Sequence, residues 1–157
     1  MQKILIFGAL ALTLTACAPK VKETALMQDG LITKQSEHSV DVTIDRLEAV
    51  VTKKGLTVFA RINHQENAAK LGMEMPASTL LIFGSPKIGA PLMNISPTIG
   101  IDLPVKALSY LGADGNVYLS YNDPNYLKLR HGLSGEQPAL TKMSGAVGKL
   151  TAYAVSE

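Results

Sequence analysis

A loop rich in glycine and proline could bind phosphate, and its sequence is GSPKIGAP (residues 84–91). Four residues separate Gly84 from Gly89, as in a nucleotide-binding P-loop, which also needs Lys and then Ser or Thr directly after its last glycine. An Ala-Pro pair follows instead, and the two prolines of the loop offer no backbone N–H to a phosphate. The residues that follow Gly89 therefore exclude a P-loop. Lys87, beside a predicted helix start, could still hold a carboxylate or phosphate.

His64 is the side chain best placed for acid–base chemistry, because it lies where a predicted strand becomes a helix. If Lys87 or Lys106 bound the negative charge of a substrate, His64 could act as an acid–base group on a small anionic metabolite. A histidine that only hydrogen-bonds the turn explains the position more simply. No Ser-His-Asp or Cys-His spacing is visible, so no catalytic residue is assigned and catalysis is kept as an alternative.

The other polar candidates have structural explanations. Asp123 precedes Pro124 and is predicted to cap a helix, while Asp102 precedes Leu-Pro and is predicted to be a turn residue. His131 falls in the last turn before a glycine, where the helix dipole favours a cation. Lys106 lies in an apolar strand and could be buried against either aspartate, although exposure on the outer face is the default.

Methionines and histidines raise a third possibility, a soft copper site or a haem accessory role. Met73, Met75 and Met93, together with His64 and His131, are ligand types that suit Cu(I). No Met-x-x-Met or His-x-His spacing supports this, and methionine commonly fills cores. Neither a metal nor a cofactor is predicted.

The amino terminus predicts a lipid anchor at Cys17. A single lysine, Lys3, precedes an apolar stretch from Ile4 to Leu14, which has the length of a secretory signal core and is too short to span a bilayer. The stretch ends in Leu-Thr-Ala-Cys (residues 14–17), which resembles the lipobox of bacterial lipoproteins. That resemblance implies cleavage before Cys17, acylation of its sulfur and of the new amino terminus, and retention at the cell envelope. In lipoproteins of this kind, an Asp directly after the cysteine is the familiar signal for retention in the inner membrane. This chain has Ala18 there, so the resemblance implies the outer membrane, facing the periplasm.

Composition excludes several other classes of protein. The chain has 157 residues, of which 46% are hydrophobic and 18% charged, so one globular domain is expected. The formal net charge is only +2, the basic residues are scattered, and tryptophan is absent. Nucleic acid is therefore not an expected partner. The single cysteine excludes a disulfide within the chain.

Apolar periodicity predicts an α+β arrangement. Strands are expected at 30–36, 56–62, 79–83, 105–111 and 117–121, and the continuous apolar run at 79–83 suggests burial on both faces. Helices are expected after Ser39, at 64–71, around 92–95, from Pro124 to before Gly132, and at 139–155. The stretch ADGN (residues 113–116) predicts a hairpin.

Four sequence blocks resemble the domain-of-unknown-function family 302. They are GLTVFARINH (55–64), TLLIFGSPKIGAPLM (79–93), IDLPVKALSY (101–110) and SYNDPNYLKLRHG (120–132), in order and at ordinary spacing. The resemblance implies a compact α+β domain around an antiparallel sheet, often a homodimer, with no established reaction. Relatives commonly carry Asp before the histidine, where this chain has Asn63.

These observations predict a signal peptide (1–16), a tether (17–29), an α+β domain (30–133) with four to five antiparallel strands packed by helices, and a C-terminal helix (134–157). We expect a membrane-anchored, non-catalytic module that binds a small ligand or a protein not identified by the sequence. Candidate ligand-binding residues are His64, Lys87, Met93, Met73 and Lys106. We expect segments 63–73 and 89–97 to form the walls of the binding groove, with both methionines as adaptable contacts.

Overall fold

The computed structural model describes residues 30–157. The predicted signal peptide, the tether and Cys17 therefore lie outside the described residues. Between residues 30 and 157, no helix is both long enough and apolar enough to cross a membrane.

The described chain folds around one five-stranded antiparallel sheet with the order β1-β5-β4-β3-β2. The strands are β1 (Leu31–Ser36), β2 (Thr57–Asn63), β3 (Ser78–Gly84), β4 (Val105–Leu111) and β5 (Val117–Asn122). The α+β class and the antiparallel sheet are confirmed.

Five α-helices and one 3-10 helix connect and cover the strands. They are α1 (Val40–Lys53), α2 (His64–Ala69), α3 (Pro86–Ile95), the 3-10 helix (Pro97–Ile101), α4 (Pro124–Arg130) and α5 (Pro138–Val155). Helix α1 begins as predicted, because Ser39 accepts a hydrogen bond from the Val42 amide and Ile44, Leu47 and Val51 recur on one buried face.

The antiparallel pairing places the strand termini at two ends of the sheet. At one end, which we call the Gly30 end, lie the first residues of β1, β2 and β4 and the last residues of β3 and β5. The opposite end, which we call the hairpin end, carries the turn between β4 and β5 and the start of α2. Residues at different ends are separated by the length of a strand, roughly 20 Å.

The core lies between α1, α5 and one face of the sheet. Its fully buried members include Ile44, Leu47, Leu81, Phe83, Leu119 and Ala154. The prediction that 79–83 is buried on both faces is wrong, because Leu80 and Ile82 point to the opposite face and remain half-buried. A central strand of aliphatic residues therefore has one helix-covered face and one more open face, which the unbroken apolar run conceals.

The hairpin between β4 and β5 is held by Asp114. This carboxylate accepts hydrogen bonds from the Asn116 amide (3.1 Å), the Asn116 side chain (2.9 Å) and the Tyr118 hydroxyl (2.5 Å). Gly115 has φ +80°, which an L side chain rarely adopts. The hydrogen bond from Tyr118 is the largest cause that lowers the pKa of Asp114 to about 2, and the same bond raises the pKa of Tyr118.

Replacing Tyr118→Phe is expected to raise the pKa of Asp114 back toward 3.8. The folded state of the wild type binds fewer protons than the unfolded state between the two values. The contribution of Asp114 to stability is therefore present above about pH 4 and lost as the pH falls toward 2. A carboxyl-carbon NMR titration measures this pKa, with Tyr110→Phe as the matched control. An Asp114 pKa that is the same in wild type and Tyr118→Phe contradicts the assignment.

Candidate functional site

A cavity of about 290 Å³ opens at the Gly30 end of the sheet, between α3 and α5. Its walls are almost entirely apolar. They include Ile88 and Met93 from α3, Met143, Ala146, Val147 and Leu150 from α5, Leu103, Pro104 and Val105 from the segment entering β4, Phe59 and Phe83 from the sheet, and Leu56 just before β2. We call this cavity the apolar pocket.

The proline- and glycine-rich loop forms the α3 wall of the apolar pocket. The sequence predicts a helix start beside Lys87 and a separate helical stretch around 92–95, whereas in the structure one helix, α3, runs from Pro86 to Ile95. Proline suits the first helical position because its φ is fixed near the helical value and its missing N–H has no partner there. Ser85 occupies the N-cap position without a side-chain capping bond. The loop is therefore an early helix start that places Ile88 and Met93 over the sheet end.

The size and lining of the apolar pocket suit a small apolar molecule. Engineered apolar cavities of roughly 150 Å³ bind benzene, and ligand pockets in proteins begin at about 300 Å³. Two of the lining side chains, Met93 and Met143, are unbranched thioethers that adapt to differently shaped ligands. The pocket presents no acid, base or charged side chain, so its chemistry is binding rather than proton transfer.

A second feature is a buried polar cluster around Asp102, beside the apolar pocket. Its carboxylate accepts hydrogen bonds from His131 Nε2 (2.6 Å) and Asn122 Nδ2 (3.3 Å), and Arg130 Nε lies 3.5 Å away. The side chains of Asp102 and His131 are only 6% and 5% exposed. The cluster thus joins the 3-10 helix and the end of α4, which are far apart in sequence.

The cluster continues from His131 to the surface. In the neutral imidazole, a proton on Nε2 faces Asp102 and leaves Nδ1 as an acceptor for the Thr98 hydroxyl, 3.0 Å away. The Ser96 hydroxyl donates to the His131 carbonyl oxygen at 3.3 Å. Such a chain can hold a hydroxyl or polarise it. Every polar atom named here has a hydrogen-bond partner within the protein, as expected for a cluster that holds two segments of the fold together.

The sequence alone does not predict the pairing of Asp102 with His131. Asp102 and His131 are 29 residues apart and lie on opposite sides of the β4–β5 hairpin, so no local spacing connects them. Each had a sufficient local explanation, as a turn residue and as a helix-terminal cation. The predicted hairpin does give one indication. Asp102 lies shortly before β4 and His131 lies shortly after β5, and an antiparallel hairpin brings the start of its first strand and the end of its second strand to the same end of the sheet.

The residues proposed for acid–base chemistry do not converge. His64 lies at the start of α2, at the hairpin end, where Asn63 caps the helix by accepting from the Glu66 amide at 3.0 Å. Lys106 is at the Gly30 end and donates to the Ile101 carbonyl oxygen at 2.9 Å. Asp123 caps α4 through the Asn125 amide at 2.9 Å. His64 therefore lies about a strand length from the lysine and the aspartates.

The candidate ligand-binding residues separate in the same way. Met93 lines the apolar pocket, whereas Lys87 is exposed on α3 and does not line it. Met73 is 61% exposed beside Met75 in the connection from α2 to β3, at the hairpin end. The 89–97 segment thus supplies part of the groove and α5 supplies the opposite wall, not 63–73. Within residues 30–157, no group of three or more His, Cys, Asp or Glu side chains is arranged to hold a metal.

Comparisons with known proteins agree with the fold. The crystal structure of an uncharacterized conserved protein DUF302 from Bacillus stearothermophilus superposes with a TM-score of 0.63 at 21% identity, covering 80% of this chain and 95% of that one. Proteins named "Fluoride-specific ion channel FluC 1" in Brucella suis biovar 1 (strain 1330) and Brucella abortus biovar 1 (strain 9-941) are 38% identical over 134 residues, which is 85% of this chain. The chain spans about half the length of these relatives, 53% and 50%.

The family is identified by its sequence model. The model of the domain of unknown function DUF302 matches residues 32–150, which run from β1 into the last helix. The resemblance seen in the four sequence blocks is confirmed, and the chain belongs to the DUF302 family.

Proposed function

We propose that this chain is a lipid-anchored, non-catalytic module of the cell envelope that binds a small apolar ligand. The observation that carries the proposal is the apolar pocket between α3 and α5. A ligand there would displace poorly held water from aliphatic and aromatic side chains, which favours binding without a charged recognition group.

The dispersal of the candidate catalytic residues supports binding over catalysis. An acid–base centre needs a second group that tunes its pKa, yet His64 is at the hairpin end and its neighbour Asn63 caps a helix. Thr98, His131 and Asp102 do form a hydrogen-bond chain, but it joins two segments of the fold and lies outside the apolar pocket. We therefore assign a structural role to these hydrogen-bonded side chains.

Fluoride conduction is not carried over to this chain. The relatives with that name are about twice as long as the matched part, so the name describes whole proteins of which this fold is one half. A ligand-binding module could act beside a membrane protein either as a separate chain or as one part of a longer chain, as in these relatives.

The anchor is tested by lipid labelling. We expect a fatty-acid analogue supplied to growing bacteria to label the wild-type protein and not the Cys17→Ser variant, because the thiol is the acceptor of the lipid. The mature amino terminus should be residue 17. Equal labelling of both proteins, or a different amino terminus, contradicts the anchor without affecting the pocket.

The ligand is tested with an apolar fluorescent probe, N-phenyl-1-naphthylamine. Titration of the purified protein should give saturable binding that Met93→Glu weakens at least tenfold, because a carboxylate in an apolar pocket must be desolvated. His64→Ala is the control and should bind as the wild type does. Unsaturable binding, or equal weakening by both substitutions, contradicts the proposal.

A further inference from the structure

The point at which the chain enters the domain is defined by Gly30. Its carbonyl oxygen accepts a hydrogen bond from the Asp123 amide at 2.8 Å, and a Cβ at this position would lie 2.3 Å from the Tyr126 ring. With φ +80° and this close approach, Gly30 fixes the entry against the start of α4. Only residues 18–29 separate Cys17 from this entry, so an anchor at Cys17 would attach to the domain at its Gly30 end and not at its hairpin end.

The Gly30 end is basic. The C-terminus of α1 and the starts of α3, β4 and α5 meet there with helix α4. They place seven basic side chains at this end: Lys53, Lys54, Lys87, Lys106, Lys128, Arg130 and Lys142. Among the described residues, the acids at this end are Asp102 and Asp123, both buried and hydrogen-bonded, and the exposed Glu136.

The hairpin end has the opposite charge. In the described part of the chain it carries Glu37, Asp41, Glu66, Glu74, Asp114 and Glu157. The basic side chains near this end are Lys70, Arg46 and Arg61. Arg46 is bonded to the carbonyl oxygens of Tyr153 and Ser156, and Arg61 pairs with acidic side chains of α1. A net charge of only +2 thus conceals a domain polarised along the strands.

Exposed aliphatic side chains lie among the basic residues of the Gly30 end. Ile95, Ile101 and Leu129 are 61%, 70% and 79% exposed. Each is the direct neighbour in sequence of a member of the Asp102 cluster, namely Ser96, Asp102 or Arg130. Because hydrogen bonds hold that cluster together, the segments that carry the three aliphatic residues meet in one region of the Gly30 end.

We propose that the Gly30 end docks on an anionic lipid surface. Lysine and arginine side chains are attracted to acidic headgroups, and aliphatic side chains among them enter the boundary between headgroups and acyl chains. One acyl anchor region and one basic patch together hold a protein more firmly than either alone. Docking on lipid is separate from ligand binding and does not depend on whether the apolar pocket is filled.

The test uses the chain from residue 17 with Cys17→Ser, so that no acyl anchor contributes. Co-sedimentation should show binding to vesicles of phosphatidylcholine mixed with phosphatidylglycerol and little binding to phosphatidylcholine alone, and added salt should weaken it. The pair Lys87→Glu and Lys128→Glu should reduce binding by about tenfold or more, whereas Lys70→Glu at the hairpin end should not.

The aliphatic contribution has its own matched pair. Leu129→Ser should weaken vesicle binding, whereas Leu71→Ser should not, because Leu71 is equally exposed (78%) but lies at the hairpin end. Equal binding to both kinds of vesicle, or equal effects within either matched pair, overturns the inference. Self-association without vesicles that is lost in Leu129→Ser would assign the surface to a second copy and also overturn it. Unchanged N-phenyl-1-naphthylamine binding in these variants separates this result from the ligand proposal.

Discussion

Replacing Asp102→Ala is expected to lower the free energy of unfolding by about 3 kcal/mol. The carboxylate is buried and accepts hydrogen bonds from His131 and Asn122, with Arg130 beside it. Its removal leaves these donors without their acceptor in a region that water does not readily reach. The 3-10 helix would then lose its main link to α4. Urea denaturation followed by circular dichroism measures the change.

Asp45→Ala is the matched control for this prediction. Asp45 also forms an ion pair, with Arg61 at 2.6 Å, but its side chain is 60% exposed. An exposed pair of this kind contributes about 0 to 1 kcal/mol. If Asp102→Ala lowered the free energy of unfolding no more than Asp45→Ala does, the Asp102 cluster would not have the structural role assigned to it.

Filling the apolar pocket is expected to abolish most ligand binding. Ala146 lines the pocket from α5 and its side chain is exposed, so Ala146→Phe can occupy the cavity without displacing core residues. We expect the affinity for N-phenyl-1-naphthylamine to fall at least tenfold, which corresponds to about 1.4 kcal/mol. Fluorescence titration gives the dissociation constants.

Ala152→Phe provides the control on the same helix. Ala152 is exposed and does not line the pocket, so the substitution adds the same ring to the same helix elsewhere. Binding that is retained in Ala152→Phe and lost in Ala146→Phe locates the ligand in the pocket. Equal affinities in the two variants would place the probe at another site.

Much of the fold follows from local patterns in the sequence. Ser39 with apolar residues at helical spacing specifies α1, alternation specifies β2, and the ADGN turn specifies the β4–β5 hairpin. The continuity of α3 from Pro86 to Ile95 does not follow from the sequence, because the glycines and prolines of this segment are typical of a loop even where Pro86 occupies the first position of a helix. The open face of β3 was missed because leucine and isoleucine occupy it.

The candidate site depends on long-range packing and was less predictable. Met93 was identified as a wall of the groove, but the opposite wall is α5, which joins it only because the helix packs back over the sheet end. The pairing of Asp102 with His131 likewise arises from the return of the hairpin to the Gly30 end. Neither contact corresponds to a spacing of residues that could be recognised in the sequence. The lipid anchor and the homodimer remain predictions.

Methionine methyl groups give the most direct test of ligand binding in the apolar pocket. Met93 and Met143 line it, whereas Met73 and Met75 lie at the hairpin end. In protein labelled with ¹³C at the methionine methyls, titration with N-phenyl-1-naphthylamine should shift the Met93 and Met143 signals saturably and leave those of Met73 and Met75 in place. Saturable shifts confined to Met73 and Met75, or no saturable shift at Met93 and Met143, would contradict the account.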